Sequence, residues 1–211
     1  MRSSHLTDGV VLLRPPTADD VDAITQACQD PEIAAWVSTP YPYQRSHAVW
    51  FVQTIVQPGW QSGTDLVWSV RDAATDRLLG MVGLHQIAGG SAEIGFWMAP
   101  WGRGRGAATR AVALVLDHAF DPDGLDLGRV AWLAYVGNWP SRRIAWQAGF
   151  RLEGTIRQHA VQRDGIRRDS WVGTLLRGDP REPNEPWPDD LPADGATVPP
   201  LPAIGRTENL R

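Results

Sequence analysis

Cysteine is almost absent from this chain, since Cys28 is the only one among 211 residues. A lone cysteine excludes an intramolecular disulfide and a zinc site built on several cysteines, so we expect no bound metal. Such usage fits a reducing compartment. Cys28 itself, on a predicted helix, is expected to be a small buried residue.

Long apolar runs are missing as well. No window approaches about eighteen continuous apolar residues, and residues 1–9 lack the apolar core of a signal peptide. We therefore expect a cytoplasmic protein that does not span a membrane.

Basic charge is not in excess either. The formal net charge is −4 and the sequence pI is about 5.7, whereas nucleic-acid binders are usually basic, so no nucleic-acid partner is expected. Hydrophobic residues make up 43% of the chain, which is enough for a sizeable core. The length suits one domain with an appendage.

Hydrophobic periodicity and turn residues divide the chain into strands and helices. The predicted strands are Val10–Arg14, Leu66–Val70, Leu78–Ile87, Glu93–Met98, Val130–Val136, Arg151–Val161 and Ser170–Leu176. The predicted helices are one that begins at a Thr17 cap, one over about Gln44–Val56, one over Ala107–Phe120 and one over Pro140–Ala148. The second to fourth strands read as an antiparallel meander, and the whole order predicts a mixed α+β fold with helices covering the sheet.

Composition divides the chain near residue 177. Residues 178–211 carry eight prolines, many acidic residues and almost no hydrophobic periodicity. We predict a folded domain over residues 1–177 and a proline-rich extended or disordered tail over residues 178–211.

A glycine- and arginine-rich loop over residues 101–109 is the first feature that indicates chemistry. It follows a predicted strand and opens a predicted helix, whose first amides lack partners within the helix and lie at the positive end of its dipole. Glycines allow that backbone to approach an anion closely, and Arg103 and Arg105 add charge for the same ligand. The loop is typical of a phosphate site, although a plain turn has the same composition.

Two known phosphate loops fit this segment less well. A P-loop ends in Gly-Lys-Ser/Thr, which is absent here. A dinucleotide-binding fingerprint matches loosely over residues 102–107, but it needs an acidic residue at the end of the next strand, and residues 131–137 contain none.

The loop and a later segment together resemble the GNAT acyltransferases. Residues 103–108, Arg-Gly-Arg-Gly-Ala-Ala, are similar to the Gln/Arg-x-x-Gly-x-Gly/Ala signature that cradles the pyrophosphate of coenzyme A in that family. Residues 137–150, Gly-Asn-Trp-Pro-Ser and onward to Gly-Phe, resemble its second cofactor segment. Residues 92–97 and 151–157 are similar to strands of the RimJ/RimL branch, and the resemblance covers about Val10 to Leu176.

The resemblance implies a GNAT-like, mostly antiparallel sheet of about seven strands, splayed between the fourth and fifth strands, and an acyl-CoA thioester as cosubstrate. It also implies binding roles for particular residues. The pyrophosphate would lie on the backbone of Arg103, Gly104, Arg105, Gly106, Ala107 and Ala108. Asn138 would hydrogen-bond the pantetheine arm, which would pair with the strand near Trp97 and Met98. Arg143 would reach a cofactor phosphate or belong to a solvated helix face.

Acyl transfer needs a neutral amine and a protonated leaving thiolate. Glu93, on the strand that lines the predicted slot, is the first candidate for the base, with a structural salt bridge as the other interpretation. Ser141 would lie near the thioester sulfur as general acid, or would only cap helix amides. His159, on the sixth predicted strand, is either a base or amine partner or a structural histidine.

One departure from the family pattern concerns the general acid. Many members carry a tyrosine five residues before the phenylalanine of Gly-Phe, whereas this chain has Ala145 there. The RimJ/RimL branch often lacks that tyrosine too, which shifts attention to Ser141.

The function predicted from this resemblance is transfer of an acyl group, acetyl by default, from acyl-CoA to a primary amine by direct attack in a ternary complex. The acceptor would be a small molecule or a protein N-terminus. The alternatives are a non-catalytic acyl-CoA-binding module, a larger acyl group such as succinyl, and a donor on a carrier protein. A toxin-like enzyme acting on aminoacyl-tRNA fits the acidic chain less well. Dimerisation is common in the family, and a homodimer is compatible with this sequence.

Overall fold

The structure is a computed structural model, and it describes residues 5–188. It contains the strands β1 (Leu6–Thr7), β2 (Val11–Arg14), β3 (Leu66–Asp72), β4 (Leu78–Ala88), β5 (Ser91–Met98), β6 (Arg129–Tyr135), β7 (Arg151–Val161) and β8 (Arg167–Leu176). These strands form one eight-stranded sheet in the order β1-β2-β3-β4-β5-β6-β8-β7. The predicted mixed α+β fold is confirmed, with Leu6–Thr7 as a strand that the pattern did not predict.

Helices connect and cover the strands. The α-helices are α1 (Val21–Ala27), α2 (Pro31–Trp36), α3 (Arg45–Trp50), α4 (Gln57–Ser62), α5 (Ala107–Phe120) and α6 (Trp139–Gln147). Short 3-10 turns lie at Ala18–Asp20 and Pro100–Gly102, and a π-helical segment covers Phe51–Val56. No helix among residues 5–188 is long and apolar enough to cross a membrane.

Neighbouring strands are antiparallel except at one place in the sheet. β5 and β6 run parallel and pair over only four rungs, from Ser91 with Arg129 to Ile94 with Trp132. β5 nevertheless stays paired with β4 as far as Met98, and β6 with β8 as far as Tyr135. The two strands therefore part beyond Trp132, and each keeps its outer partner. The predicted splay is present, and it falls between β5 and β6 in this numbering because β1 adds a strand.

Each face of the sheet has its own apolar core. One core joins the sheet to α5 and α6 and includes Ile94 and Trp132. The other joins it to α1 and the α3–α4 region and includes Val67 and Met81. Alternation along β5 sends Ile94, Phe96 and Met98 to the first core, and Trp97 to the second.

Two helical features near the N-terminus differ from the sequence prediction. α2 was not predicted; Pro31 occupies its first turn, where the missing N–H costs nothing, and Asp30 caps that helix. The helix predicted over about Gln44–Val56 continues to Ser62. The π-helical segment ends before Gln57, so Pro58 again lies in a first turn.

Residues 177–188 contain no helix or strand, but they contact α6. The backbone oxygen of Glu185 accepts a 2.7 Å hydrogen bond from Trp146 Nε1, and Asn184 Nδ2 donates to the oxygen of Gly149 at 3.1 Å. The ring of Trp187 lies 5.2 Å from that of Trp146. The predicted tail thus begins along α6. Its residues 189–211 lie outside the described part, and the division at residue 177 stays a prediction.

Candidate active site

The glycine-rich loop leads into α5 with its first amides unprotected. Gly106 is the N-cap in a left-handed conformation, with φ of 69°, and no side chain of residues 5–188 caps the helix. Gly104 has a φ of 72°, and a Cβ atom at either glycine would meet nothing within 4 Å. The outer side of the loop is therefore open space next to amides that lack partners, which is the arrangement that an anion such as a diphosphate needs.

The two arginines of this loop differ in their partners. Arg103 NH1 lies 3.1 Å from Asp30 Oδ2 and 2.5 Å from Glu32 Oε2, so its guanidinium is tied to the start of α2. Arg105 is exposed and makes no ion pair within residues 5–188. Of the two, only Arg105 has a guanidinium free to turn towards a phosphate.

The start of α6 is closed by side chains. Asn138 is its N-cap, and Asn138 Oδ1 accepts a 3.3 Å hydrogen bond from the amide of Ser141. The hydroxyl oxygen of Ser141 accepts a 2.9 Å hydrogen bond from Trp132 Nε1. Asn138 Oδ1 is thus used inside the protein, while the amide nitrogen of the same side chain donates to no other atom of residues 5–188.

Trp97 and Met98 lie on the part of β5 that has separated from β6. Their backbone pairs with β4 on one side only, through Met81 and Gly80. The other edge faces the gap, where an extended ligand can take the place of a strand. Both residues thus lie beyond the last rung that joins β5 to β6.

Glu93 lies one rung before the strands part. It is the cross-strand partner of His85 on β4 and of Ala131 on β6. Burial raises the pKa of the Glu93 carboxyl above the ordinary glutamate value, and the charges of His85 and His159 act against that rise. A carboxylate with a raised pKa is better matched to proton transfer near neutral pH than an exposed one.

His85 is held in place over the sheet beside Glu93. Its Nδ1 atom lies 3.2 Å from Asp65 Oδ1. The ring covers the paired glycines Gly83 and Gly95, because a Cβ atom at Gly83 would meet His85 Nε2 at 2.8 Å and one at Gly95 would lie 3.7 Å from the ring. Sequence reasoning gave this histidine less weight than His159 and did not place it among the candidate site residues. The signal that could have identified it is the register of the β4–β5 hairpin, which places His85 directly opposite Glu93.

His159 owes its position to an irregularity in β7. Between the pairs Ile156–Ser170 and Ala160–Arg168, three residues of β7 oppose one residue of β8, and Gln158 adopts a φ of 49°. His159 Nδ1 consequently reaches Ser170 Oγ at 3.2 Å. The bulge re-aims the ring, and nothing in the sequence pattern predicted it.

The arginines of α6 have aromatic neighbours. The Arg142 guanidinium lies 5.3 Å from the ring centre of Trp139 and 4.8 Å from that of Trp171, and that of Arg143 lies 5.6 Å from Trp187. Cation–π contacts of this kind hold Arg142 against Trp139 and Trp171, and Arg143 against Trp187 in the segment of residues 177–188 that lies along α6.

The β7–β8 turn and α2 meet on the far side of the gap. Gln162 Nε2 donates to the oxygen of Ala35 at 3.2 Å, and Arg163 donates to the oxygen of Val37 at 3.0 Å. The Trp36 ring lies 3.6 Å from the position of a Cβ atom on Gly137, the residue before Asn138. α2 therefore contacts the chain after each of the two parted strands. Its C-terminal end meets Gly137, which follows β6, and its N-terminal end holds Arg103, which follows β5.

Cys28 lies outside this site. It is buried in the core beneath α1, and burial raises the pKa of its thiol to about 12, so it stays protonated and unreactive.

A sheet parted between two parallel strands, with open helix amides beside the gap, is the arrangement that the resemblance to the GNAT acyltransferases implied, and comparison with known proteins agrees. The family model described as "Acetyltransferase (GNAT) domain" matches residues 11–151. The chain is 26% identical over 174 residues to the N-acetyltransferase YoaA of Bacillus subtilis, covering 82% of this chain and 95% of YoaA.

Solved structures give the same result. A GCN5-related N-acetyltransferase from Brucella melitensis superposes with a TM-score of 0.70 at 29% identity, over 84% of this chain and 80% of that one. RimJ of Mycobacterium smegmatis, in complex with CoA-disulfide, superposes with a TM-score of 0.72 at 24% identity, over 81% and 84% of the two chains. The chain belongs to the GNAT acetyltransferase family, whose members are acyl-CoA-dependent N-acyltransferases, and its structural neighbours include RimJ and RimL.

Proposed function

We propose that this protein transfers an acetyl group from acetyl-CoA to a primary amine by direct attack within a ternary complex. The observation that carries the proposal is the gap that opens beyond the Ile94–Trp132 rung, next to the uncapped amides of α5. The gap gives a thioester a way through the sheet, and the amides give its diphosphate an anchor.

Donor binding is assigned to the loop and to the two edges of the gap. The backbone of residues 103–108 holds the diphosphate, and the free edge of β5 at Trp97 and Met98 pairs with the pantetheine arm. Asn138 adds a side-chain amide donor at the start of α6. RimJ, which shares the fold, was solved with a coenzyme A derivative, and this supports the assignment.

Glu93 is assigned as the general base, acting through water. An ammonium group cannot attack a thioester, so a proton must leave the acceptor first. A free α-amine has a pKa of about 8 and a lysine side chain about 10.4, so the α-amine or a comparable small-molecule amine is the easier substrate. Because the pKa of Glu93 is raised, it lies closer to the pKa of the acceptor amine. His85 is the cross-strand neighbour of Glu93, and the charges of His85 and His159 favour the ionised form of the Glu93 carboxyl.

Ser141 is assigned as the general acid that protonates the leaving thiolate. It lies at the start of α6, where the helix dipole also favours developing negative charge. His159 is held by Ser170 on β8, and we assign it to the acceptor side of the gap.

Turnover of acetyl-CoA with a panel of amines tests the proposal. Free thiol release should rise with at least one amine above the rate in its absence, and acetylated product should appear by mass spectrometry. The chain contains no lysine, so any acetyl-lysine found after incubation with a cell extract and labelled acetyl-CoA belongs to another protein. Tight donor binding without turnover on any amine would refute the proposal.

Replacing Glu93 tests the base. Glu93→Gln keeps the size of the side chain but cannot accept a proton, so kcat should fall by about 10²-fold with little change in donor KM. In the wild type, kcat/KM should decrease as the pH falls through the Glu93 pKa, and the midpoint of this decrease should lie above the pKa range of an ordinary glutamate. The variant should not show this decrease. A variant that retains the wild-type profile would assign the base elsewhere.

A further inference from the structure

Trp132 connects the point where the sheet parts to the proposed general acid. It belongs to the last rung that joins β5 and β6, and its side chain is 2% exposed in the core beneath α5 and α6. From there its indole Nε1 donates to Ser141 Oγ at 2.9 Å.

This hydrogen bond decides what the Ser141 hydroxyl can do. An indole N–H is a donor only, whereas a serine hydroxyl has one O–H donor and two acceptor lone pairs. Since Ser141 Oγ accepts from Trp132, its own hydrogen must point away from the indole. Within residues 5–188, no atom is in position to accept that hydrogen.

The amide of Ser141 is fixed as well, by Asn138 Oδ1 at 3.3 Å. The residue is therefore held at its backbone and at its side-chain oxygen, and only the O–H vector remains free. A hydroxyl held in this way needs little free energy to reorient when a proton acceptor forms in the slot.

We infer that Trp132 is a positioning residue that aims the Ser141 hydroxyl at the thioester sulfur, an inference that rests on the proposed function. As the amine nitrogen bonds to the acyl carbon, the carbon–sulfur bond breaks and its electron pair stays on sulfur. The Ser141 proton moves to that sulfur, and a proton from water restores the hydroxyl. The proton that the amine loses goes to Glu93.

Trp132→Phe removes the N–H group and retains most of the apolar volume. We expect kcat to fall about fivefold to tenfold, as the loss of one hydrogen bond to the reacting group predicts, with donor KM changed less than twofold. Trp60→Phe is the matched control, because Trp60 Nε1 donates to the oxygen of Val67 at 3.0 Å, on β3. It should cost similar stability and leave kcat unchanged.

A double-mutant cycle separates positioning from packing. In the Ser141→Ala background, Trp132→Phe should lower kcat by less than a further twofold, because the partner of the hydrogen bond is already gone. Equal losses in both backgrounds would overturn the inference. Trp132→Tyr, read in the same cycle, replaces the phenylalanine variant if that one does not fold.

Thiol release should be measured with amine and also with water as the only acceptor, since both reactions need a protonated leaving thiol. Release by the wild type without an effect of Trp132→Phe would refute the role of Trp132 alone. A wild type that releases no thiol with any acceptor would refute the proposed function and the inference together.

Discussion

The two helices that flank the gap begin in opposite ways. α5 begins at Gly106 with no side-chain cap, so its first amides are open. α6 begins at Asn138, whose side chain caps the amide of Ser141, and the hydroxyl of Ser141 is held by Trp132. Both helices present an N-terminus to the same slot, but only one of them leaves its backbone donors to a ligand.

This difference indicates a division of labour. At an uncapped helix start, the backbone amides and the positive end of the dipole can bind an anion, which suits the diphosphate end of the donor. A capped start gives up part of that capacity and instead fixes side chains at defined positions, which suits the end of the donor where bonds change. The following variants test this difference, and they are ordered from the largest to the smallest effect expected on donor binding.

Gly106→Val should have the largest effect, because it closes the open helix start. The Cβ atom would enter the empty side of the loop, where we place the diphosphate, and a β-branched residue at φ of 69° is also strained. Donor affinity, measured by titration calorimetry, should fall at least about 100-fold.

Gly63→Val provides the control for strain alone. Gly63 has a φ of 74° and also has nothing within 4 Å of a Cβ position, but it ends α4 on the other side of the sheet. It should lower the melting temperature about as much as Gly106→Val and leave donor affinity unchanged. Equal donor affinities in the two variants would show that the start of α5 does not hold the diphosphate.

Asn138→Ala should have an intermediate effect, because it opens the capped start. Loss of a helix N-cap costs about 1 kcal/mol, which corresponds to a melting temperature lower by roughly 2–4 °C in a chain of this size. Donor KM should rise several-fold, since the amide donors of Asn138 are lost as well.

Asn138→Asp separates the two roles of this residue. Aspartate caps a helix as well as asparagine does, so the melting temperature should be retained, but it has no N–H group to offer the pantetheine arm. If donor KM also stays at the wild-type value, Asn138 is a cap alone.

Arg103→Met should have the smallest effect on the donor. Its guanidinium is already engaged by Asp30 and Glu32, so donor affinity should change by no more than about threefold. Arg105→Met should weaken binding more, because Arg105 has no ion pair within the described residues and is free to meet a phosphate. The reverse order would mean that Arg103 leaves its carboxylates when the donor binds.

Local patterns in the sequence were sufficient for most of the fold. α5 has the predicted bounds of Ala107 and Phe120, because a clear helical period follows Gly106. β7 has the predicted bounds of Arg151 and Val161, because the turn at Asp164 and Gly165 sets the end of the strand. α2 was not predicted, since six residues are too short for a periodic signal. The extension of the helix to Ser62 was hidden by Pro58.

The candidate site was predictable to the extent that its residues share one segment. The loop of residues 103–108 and the Asn138–Ser141 turn are each continuous in the sequence, so they could be recognised by their resemblance to the GNAT motifs. The ion pair of Arg103 with Asp30 joins residues far apart in the chain, and no local pattern encodes it. The same holds for the contact between His85 and Asp65.

The sequence by itself determined the order of the longer helices and strands and, through two motifs, the family, because these depend on near neighbours in the chain. Only the tertiary structure decided at which rung the sheet parts, that carboxylates hold Arg103, that burial raises the pKa of Glu93 and that Trp132 donates to Ser141. Those properties depend on burial and on hydrogen bonds between distant segments, and such contacts exist only once the chain has closed on itself.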